Sequence, residues 1–354
     1  MIDFFIKVKQ QEKQNLPFVI YSKPNNNILE GFFQKDDHLY LAEDFNEKGF
    51  VFAPFDDNQT IIIPKKKSHQ WQAFLPSLEE NSQTTASPEI NKEQKDHFKK
   101  LVQKAINAIK DGVFNKVVLS RKEIIDLDDF NLVNIFEKLV LTYPTAFTYC
   151  WFHPKVGLWM GATPERLLKS KNNKFYTMAL AGTQVYKKSI DVIWKEKEID
   201  EQYFVTNYIL EKLKGIASEV NISSPYTLRA GNLLHIKTDI EGVINENSNL
   251  KQVVSILHPT PAVCGFPEEV SKKFIFENEG YDREFYTGFL GELNLKSKNK
   301  KKIKSDLYVN LRCMQIKDKQ ALLYIGCGIT KDSDSEKEWE ESVNKSMTIR
   351  KIIL

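Results

Sequence analysis

The fold class is decided by YTGFLGELNLKSKNKKKIKSDLYVNLRCMQIKDKQALLYIGCGIT, the stretch from Tyr286 to Thr330. It contains three runs rich in β-branched, aromatic and other apolar residues, YTGFLGELNL, DLYVNLRCMQI and ALLYIGCGIT, and polar residues separate them. This arrangement is typical of consecutive strands joined by loops. We interpret the lysine-rich segment KSKNKKKIK (296–304) as a solvated hairpin loop, because exposed lysines discourage strand pairing.

The part of the chain before Tyr286 mixes further strands with helices. Strand-forming runs include KVVLSRKEII, FTYCWFHP, VGLWMGATP, FYTMALAGT and LLHIKTDIEGVI, whereas NLVNIFEKLVLTY and WKEKEIDEQYFVTNYILEKLKGI are helical in pattern. Another helix is predicted with Ser87 as its N-cap, Pro88 as its first residue and Gly112 at its end. Runs of strands with helices inserted between them favour an α+β fold over an alternating, doubly wound sheet.

Residues 1–90 are interpreted as a strand-rich N-terminal part of the fold that ends in a polar linker. Five runs, FFIKVKQ, LPFVIYSK, GFFQKDDHLYLA, FVFAPF and TIIIPK, are predicted to be strands. From Pro64 to about Ser87 the composition turns polar, which predicts a loop or linker.

Composition limits the class of partner and the compartment. The 354 residues carry a formal net charge of only +3, which argues against a general nucleic-acid or membrane-surface binder. The four cysteines are widely scattered, so neither a disulfide framework nor a structural zinc site is expected. The N-terminus lacks the apolar core of a signal peptide, and no run approaches a membrane span. We therefore expect a soluble cytoplasmic protein.

Two ladders of acidic residues raise the question of a metal site. KEIDEQYF places Glu198 and Glu201 three residues apart, and SEKEWEESVNK does the same with Glu338 and Glu341, followed by Lys345. On a helix such acids share one face and repel each other by a few tenths of a kcal/mol. Most pairs of this kind are solvated faces. These two adjoin apolar residues, however, and Mg²⁺ needs only one or two protein carboxylates.

A set of motifs in a fixed order resembles one family of enzymes. The motifs are FNKVVLSR, GATPERLL, ALAGT, KEIDEQ, HPTPAVCGFP, FYTGFLGEL, NLRCMQI, IGCGIT and SEKEWEESVNK. In these motifs the chain resembles the chorismate-utilising enzymes, which comprise isochorismate, salicylate, anthranilate and aminodeoxychorismate synthases. The resemblance runs from about Lys92 to the C-terminus. It implies large antiparallel β-sheets flanked by helices, an active site in a cleft between them, and a chorismate-binding catalytic domain over residues 91–354.

The resemblance also implies a metal ion and two catalytic residues. A magnesium ion would be held directly by Glu201 and Glu341, with Glu198 and Glu338 in support. Lys116, in FNKVVLSR, matches the lysine that activates water. Glu165, in GATPERLL, matches the general acid, and its position after Pro164 predicts a turn between a strand and a helix.

The substrate-binding residues follow from the same resemblance. Arg312 and Tyr286 would bind the enolpyruvyl carboxylate, and His258 would lie near the ring carboxylate. Glycine backbone is expected to approach the substrate where side chains would interfere. The full set carried over is Gly182, Thr183, His258, Ala262, Val263, Tyr286, Arg312, Gly326, Gly328 and Lys345.

Three positions separate the members of the family. Ala181 stands where aminodeoxychorismate synthases often carry a nucleophilic lysine, so covalent lysine catalysis is not available there. Lys116 replaces the usual glutamine of the ammonia-using anthranilate synthases and favours water as nucleophile. Ala262 and Val263 form the apolar pair typical of isochorismate synthases. The resemblance therefore predicts an isochorismate synthase.

Two alternatives remain open, a salicylate synthase that goes on to eliminate pyruvate and a catalytically silent chorismate binder. No glutaminase subunit is expected, and the short N-terminal part favours a compact monomer. The sequence leaves open whether the product would serve menaquinone, siderophore or salicylate biosynthesis.

Overall fold

The strands of the protein pair antiparallel in two sheets. The computed structural model describes residues 1–56, 59–75, 91–230, 233–296 and 302–354. Its strands, in chain order, are β1 (Phe18–Ser22), β2 (Ile28–Gln34), β3 (Tyr40–Leu41), β4 (Gly49–Ala53), β5 (Ile61–Pro64), β6 (Ser68–Phe74), β7 (Lys116–Asp126), β8 (Phe147–His153), β9 (Gly157–Thr163), β10 (Arg166–Lys171), β11 (Lys174–Val185), β12 (Ala217–Ile222), β13 (Tyr226–Ala230), β14 (Leu233–Ile244), β15 (Gly265–Phe266), β16 (Phe289–Lys296), β17 (Ile303–Val309), β18 (Cys313–Lys317) and β19 (Gln320–Ile329).

The order of strands differs from their order along the chain. The first sheet runs β15-β7-β19-β18-β9-β8-β1-β2-β6, and the second runs β12-β14-β11-β10-β17-β16-β4-β5-β3, with β13 also paired to β14. β1 pairs with β8 and β4 pairs with β16, so the strands before residue 75 extend both sheets. The division of the chain near residue 90 stays an interpretation of the sequence. The predicted α+β class with large antiparallel sheets is confirmed.

Helices cover the outer faces of the two sheets. In the described residues they are α1 (Ile2–Lys13), α2 (Lys92–Lys110), α3 (Leu132–Thr142), α4 (Glu196–Leu213), α5 (Leu250–Leu257), α6 (Glu268–Asn278) and α7 (Ser335–Ile353). Side chains of α1 and α3 pack on the first sheet, α2 and α7 pack near β7 and β19, and α4 and α5 pack on the second sheet. None of these helices combines the length and the apolarity that a membrane crossing requires.

Alternation along each strand divides the core into layers. On β1, Phe18 and Ile20 point to the helices outside the first sheet, whereas Val19 and Tyr21 point to an aromatic layer between the two sheets. Because successive side chains of a strand face opposite sides, one continuous apolar run serves both layers. The space between the sheets is therefore filled with side chains near β1 and β8.

The prediction that FFIKVKQ forms a strand is wrong, because these residues belong to α1. Phe4, Phe5 and Val8 are buried on one side of the helix. Their spacing of three and four residues fits the helical repeat, and the β-forming composition of the run concealed it.

The predicted linker after Pro64 is partly structured. A 3₁₀ turn covers Lys65–Lys67 and is followed by β6, the edge strand of the first sheet. The N-cap predicted at Ser87 and the helix start at Pro88 lie outside the described residues. α2 begins at Lys92, and the Asn91 side chain accepts a hydrogen bond from the Gln94 amide at 3.1 Å. The lysine-rich segment joins β16 to β17 as predicted, although residues 297–301 lie outside the description.

The run DLYVNLRCMQI is two strands rather than one. β17 lies in the second sheet and β18 in the first, so the chain crosses between the sheets at residues 310–312. Asn310 holds this crossing: its side chain accepts a hydrogen bond from the Tyr149 hydroxyl at 2.6 Å and donates one to the Phe285 carbonyl at 2.9 Å. Arg312 follows with a φ of +48°, and the crossing places it beside the cavity described next.

Candidate active site

An open cavity lies between the two sheets at the end that carries α4 and α7. Its volume is about 800 Å³, and part of this volume is continuous with solvent. A volume of this size suits a small-molecule ligand. The sequence-predicted residues that line it are Glu165, Gly182, Thr183, Glu198, Glu201, Ala262, Val263, Tyr286, Arg312, Gly326, Gly328, Glu341 and Lys345.

Lys116 lies directly behind the cavity wall. It is the first residue of β7, and its side chain is only 1% exposed. Its Nζ donates a hydrogen bond to Glu201 Oε1 at 2.8 Å. A Cβ built on Gly328 would come within 3.3 Å of Lys116 Cε, so the absence of a side chain at Gly328 leaves room for the lysine. The predicted base therefore contacts Glu201, a predicted metal ligand that lines the cavity.

Glu165 lies in the turn between β9 and β10, so the prediction of a strand-to-helix turn is wrong. The residue is buried and lines the cavity. Burial raises the pKa of its carboxyl to about 7, even though the charges of Arg312, Lys116 and Lys345 oppose that rise. A carboxyl with this pKa holds its proton for much of the time at neutral pH, which suits a general acid.

Three lysines compensate the charge of the acidic ladders. Besides the Lys116–Glu201 contact, Lys345 Nζ lies 2.6 Å from Glu341 Oε1, and Lys197 Nζ lies 3.0 Å from Glu338 Oε1. Burial opposes ionisation of Glu201, but the positive charges of Lys116, Lys197 and Lys345 together outweigh it and lower the pKa of this carboxyl. Glu338 behaves differently, because burial and then the charge of Glu341 raise its pKa.

The acids of the two ladders include candidate ligands for a divalent cation. Glu201 of α4 and Glu341 of α7 line the same cavity. Ligand atoms of Cys327, Glu338 and Glu341 all lie within 4.8 Å of one another. Carboxylate oxygens are ligands that Mg²⁺ prefers, whereas a cysteine sulfur is not. The two carboxylates of this close group therefore suit the ion that the sequence predicts, and Glu201 lies outside the group.

Glu198 lies in the first turn of α4 and stabilises the start of this helix. Its Oε2 accepts a hydrogen bond from the Lys195 amide at 3.0 Å, which caps the helix. Gly182 faces it with a φ of +73°, and a Cβ there would come within 3.1 Å of Glu198 Cβ. The glycine is needed both for its backbone conformation and for the close approach of the helix.

Arg312 and Tyr286 line the cavity together, as the sequence predicts for a pair that binds one carboxylate. Burial lowers the pKa of the Arg312 guanidinium from its usual high value, and the group stays a cation near neutral pH. The Tyr286 ring stacks on Tyr324 at 5.5 Å between centroids. A Cβ on Gly326 would come within 2.5 Å of the Tyr286 hydroxyl, so the absence of a side chain at Gly326 leaves room for this hydroxyl.

Comparison with known proteins gives the family. The family model described as "Chorismate binding enzyme" matches residues 50–354. The chain belongs to the chorismate-binding enzyme family. The match begins well before Lys92, where the motif resemblance starts, and includes β4 to β6 of the N-terminal part.

The relatives of this chorismate-binding enzyme include isochorismate synthases. The isochorismate synthase EntC of Escherichia coli (strain K12) is 28% identical over 318 residues, which cover 84% of this chain and 78% of EntC. The structure of MenF, the menaquinone-specific isochorismate synthase of Escherichia coli, superimposes with a TM-score of 0.77 at 20% identity and covers 96% of this chain and 89% of MenF.

Anthranilate synthase component I of Streptococcus pneumoniae TIGR4 shares the fold, with a TM-score of 0.67 at 20% identity over 95% of this chain and 90% of its own. The fold alone therefore does not select the reaction, because relatives with different names share it. That selection depends on individual side chains in the cavity.

The prediction for His258 is wrong in position, because this residue does not line the cavity of the chorismate-binding enzyme. It follows α5, its Nε2 lies 3.3 Å from the Pro54 carbonyl oxygen, and its ring packs on Phe289. The HPTP segment follows the last turn of α5. The motif alone does not show where the ring of its histidine points.

His235 of β14 is the histidine that lines the cavity, and the sequence reasoning missed it. Its Nδ1 lies 2.9 Å from the Gly182 carbonyl oxygen, a contact that requires a proton on Nδ1 and leaves Nε2 as an acceptor. Burial, reinforced by Arg312 and Lys345, lowers its pKa to about 3, so the ring is neutral. The pairing of β14 with β11, in which Ile236 lies opposite Ala181, brings His235 beside the ALAGT segment, and this pairing joins strands that are distant in sequence.

Proposed function

We propose that the protein is an isochorismate synthase that uses Mg²⁺ to add water at carbon 2 of chorismate while the hydroxyl on carbon 4 leaves. The observation that carries this proposal is one cavity lined by Glu165, Glu198, Glu201 and Glu341, with Lys116 bonded to Glu201 behind its wall. The isochorismate synthases among its relatives support the same reaction.

Two proton transfers are assigned to the chain's own side chains. Lys116, when neutral, accepts a proton from the attacking water, and the water oxygen forms the new bond to carbon 2. Glu165 donates its proton to the departing hydroxyl, which leaves as water while the ring double bonds shift. One water enters and one leaves, so the composition of the substrate is unchanged. The pKa of about 7 at Glu165 allows this residue to act as the acid near neutral pH.

Mg²⁺ would be held by Glu201 and Glu341, with Glu198 and Glu338 in support. When bound, the ion would supply positive charge to the ring carboxylate of chorismate and offset the repulsion between the acids. Arg312 binds the second carboxylate, and the glycines of β19 bring backbone close to the substrate. Chorismate is thereby fixed at both ends while its ring faces the acid and the base.

The apolar wall at Ala262 and Val263 favours release of isochorismate over further chemistry. Val263 is buried at 2% exposure, and both residues line the cavity. Neither side chain carries a hydroxyl that would support elimination of pyruvate. Lys116 in turn favours water over ammonia, and Ala181 offers no amine for covalent catalysis at its position.

Product analysis tests the proposed function. Chorismate is incubated with the protein and Mg²⁺, and the products are separated by chromatography. The proposal predicts isochorismate without pyruvate. Pyruvate and salicylate together would identify a salicylate synthase instead, and bound but unchanged chorismate would identify a silent relative.

The pKa of Glu165 predicts how activity depends on pH. Because the protonated carboxyl is the active form, its titration should contribute a factor to kcat/KM that falls as pH rises through about 7, whereas the need for neutral Lys116 contributes a factor that rises with pH. A pH series with chorismate well below KM, run on the wild type and on Glu165→Gln, isolates the Glu165 factor as the ratio of the two profiles. A ratio that does not fall across that range would remove Glu165 from the role of general acid.

Gly328→Ala is expected to lower activity without unfolding the protein. The added Cβ would come within 2.8 Å of Glu201 Oε1 and 3.3 Å of Lys116 Cε, so both side chains must shift. A displacement of this order costs about 10²-fold in rate when it moves a catalytic group. The melting temperature of Gly328→Ala, measured beside that of the wild type, controls for stability. An unchanged kcat in Gly328→Ala would contradict the assigned position of Lys116.

A further inference from the structure

A fully buried ion pair lies next to the cavity and is not used by the proposed chemistry. Glu279 caps the C-terminal end of α6, and Arg283 follows in the turn that leads to β16. Each side chain is 1% exposed, and Arg283 Nε donates to Glu279 Oε2 at 2.8 Å. A pair this deeply buried loses hydration on both sides, so its contribution to stability is small or unfavourable unless its other bonds compensate.

Those other bonds go to the backbone of the cavity walls. Arg283 Nη2 donates to the Val118 carbonyl at 2.7 Å, and Nη1 donates to the Val263 carbonyl at 3.1 Å. Val118 and Val263 both line the cavity, and Val118 stands two residues after Lys116 on β7. One guanidinium thus sets the distance between the strand of the base and the segment that carries the apolar wall.

Glu279 binds the same strand from the other side of the pair. The Ser120 amide donates to Glu279 Oε1 at 2.7 Å, and the Ser120 hydroxyl donates to Oε2 at 3.0 Å. β7 is therefore held at two positions, Val118 and Ser120, by the two members of one ion pair.

A third wall depends on Arg283 through its backbone and side chain. The Tyr286 amide donates to the Arg283 carbonyl at 2.8 Å, and Arg283 Nη1 lies 3.4 Å from the Thr287 hydroxyl. Thr287 is fully buried, lines the cavity and has a φ of +61°. A β-branched residue rarely adopts this conformation, which persists only where its surroundings hold it. The Thr287 amide also donates to the Asn310 carbonyl at 2.9 Å.

We propose that the Glu279–Arg283 pair is a positioning device that aligns three walls of the active site: β7 behind Lys116, the segment with Ala262 and Val263, and the Tyr286–Thr287 turn. Arg283 is a positioning residue and not a catalytic one, because its bonds reach the walls and not the substrate. The planar guanidinium is needed because one group must bind a carboxylate and two carbonyls in different directions. The inference rests on the proposed function for its effect on turnover.

Replacing both residues of the pair by apolar residues separates the effect on active-site alignment from the effect on protein stability. Single variants leave one buried charge without a partner and are expected to unfold readily. The double variant Arg283→Met with Glu279→Leu removes both charges, and a pair of similar volume often folds as well as the original. We expect it to fold with a lowered melting temperature, because the Ser120 amide and the Val118 and Val263 carbonyls lose their partners. Its kcat should fall by about 10²-fold, since small misalignments of reacting groups cost this much.

Arg283→Lys provides a second variant that keeps the charge. Lysine can pair with Glu279 but cannot also bind the Val118 and Val263 carbonyls, so we expect a folded protein whose kcat falls by at least about tenfold. The control is Lys23→Met with Glu292→Leu, a partly buried pair whose bonds join β1, β2 and β16. Its kcat should stay within about twofold of wild type.

The outcomes distinguish the inference from the proposed function. Chorismate turnover by the wild type is measured first, and its absence would overturn the proposed function alone. In that case chorismate binding, measured as the rise in melting temperature when chorismate is added, is compared instead of turnover. The double variant should bind chorismate at least about tenfold more weakly than the wild type does. The inference would be overturned by a folded double variant that keeps the wild-type kcat and the wild-type chorismate binding. If the double variant does not fold, the same result in Arg283→Lys would overturn it.

Discussion

Replacing Lys116 by alanine is expected to lower kcat on chorismate by about 10²- to 10⁴-fold, the range that general-base catalysis contributes. Chorismate should still bind, because both of its carboxylates are assigned to other groups, Arg312 and the metal ion. The physical reason lies in the placement of Lys116, whose buried Nζ lies 2.8 Å from Glu201 Oε1 at the cavity wall. Steady-state kinetics with chorismate, together with a binding titration, measures both effects.

Lys169→Ala is the matched control for this variant, because Lys169 is an exposed strand lysine on β10. It should leave kcat unchanged. The assignment of the base would be wrong if Lys116→Ala kept kcat within about tenfold of wild type, which corresponds to about 1.4 kcal/mol of transition-state stabilisation.

Replacing Glu201 or Glu341 by glutamine is expected to weaken Mg²⁺ binding by at least about 10- to 100-fold, the loss that follows even from changes in the outer shell of a metal site. Each substitution would remove the charge of one proposed ligand while keeping the shape of the side chain. The concentration of Mg²⁺ that gives half-maximal activity should rise accordingly. The Mg²⁺-dependent rise in melting temperature provides a second reading that needs no turnover.

Glu340→Gln controls for the general loss of negative charge on α7, because Glu340 lies exposed between the buried Trp339 and the cavity-lining Glu341. It should titrate with Mg²⁺ as the wild type does. Magnesium titrations of Glu201→Gln and Glu341→Gln that both overlay the wild-type curve would remove the metal ion from this site.

Much of the fold could be predicted because strand-forming runs and turns are local signals. The runs of consecutive strands with helices between them predicted the α+β class correctly. α1 was missed since its helical spacing of Phe4, Phe5 and Val8 is carried by residues that also favour strands. The division of DLYVNLRCMQI between two sheets could not be foreseen, because the crossing depends on Asn310 and its partners Tyr149 and Phe285, which are distant in sequence.

The site was predicted where a motif carries its residues and missed where side-chain direction decides. Glu165, Glu198, Glu201 and Glu341 line one cavity, and Lys116 bonds to Glu201, whereas their catalytic and metal-binding roles stay predictions. The motif pointed to His258, although His235 lines the cavity, because a motif does not show which histidine ring faces the cavity. Lys197 was overlooked beside Glu198, since its partner Glu338 is 141 residues away in the chain. The charge of Arg283 likewise has a role only once Val118 and Val263 are placed beside it.

Turnover in water enriched in a heavy oxygen isotope tests most directly the claim that a base and an acid at this cavity exchange one hydroxyl for another. With Mg²⁺ present, the account predicts isochorismate that carries one heavy oxygen atom at carbon 2, detected by mass spectrometry of the isolated product. Isochorismate without the label, or formation of the labelled product at an undiminished rate by Lys116→Ala, would contradict it.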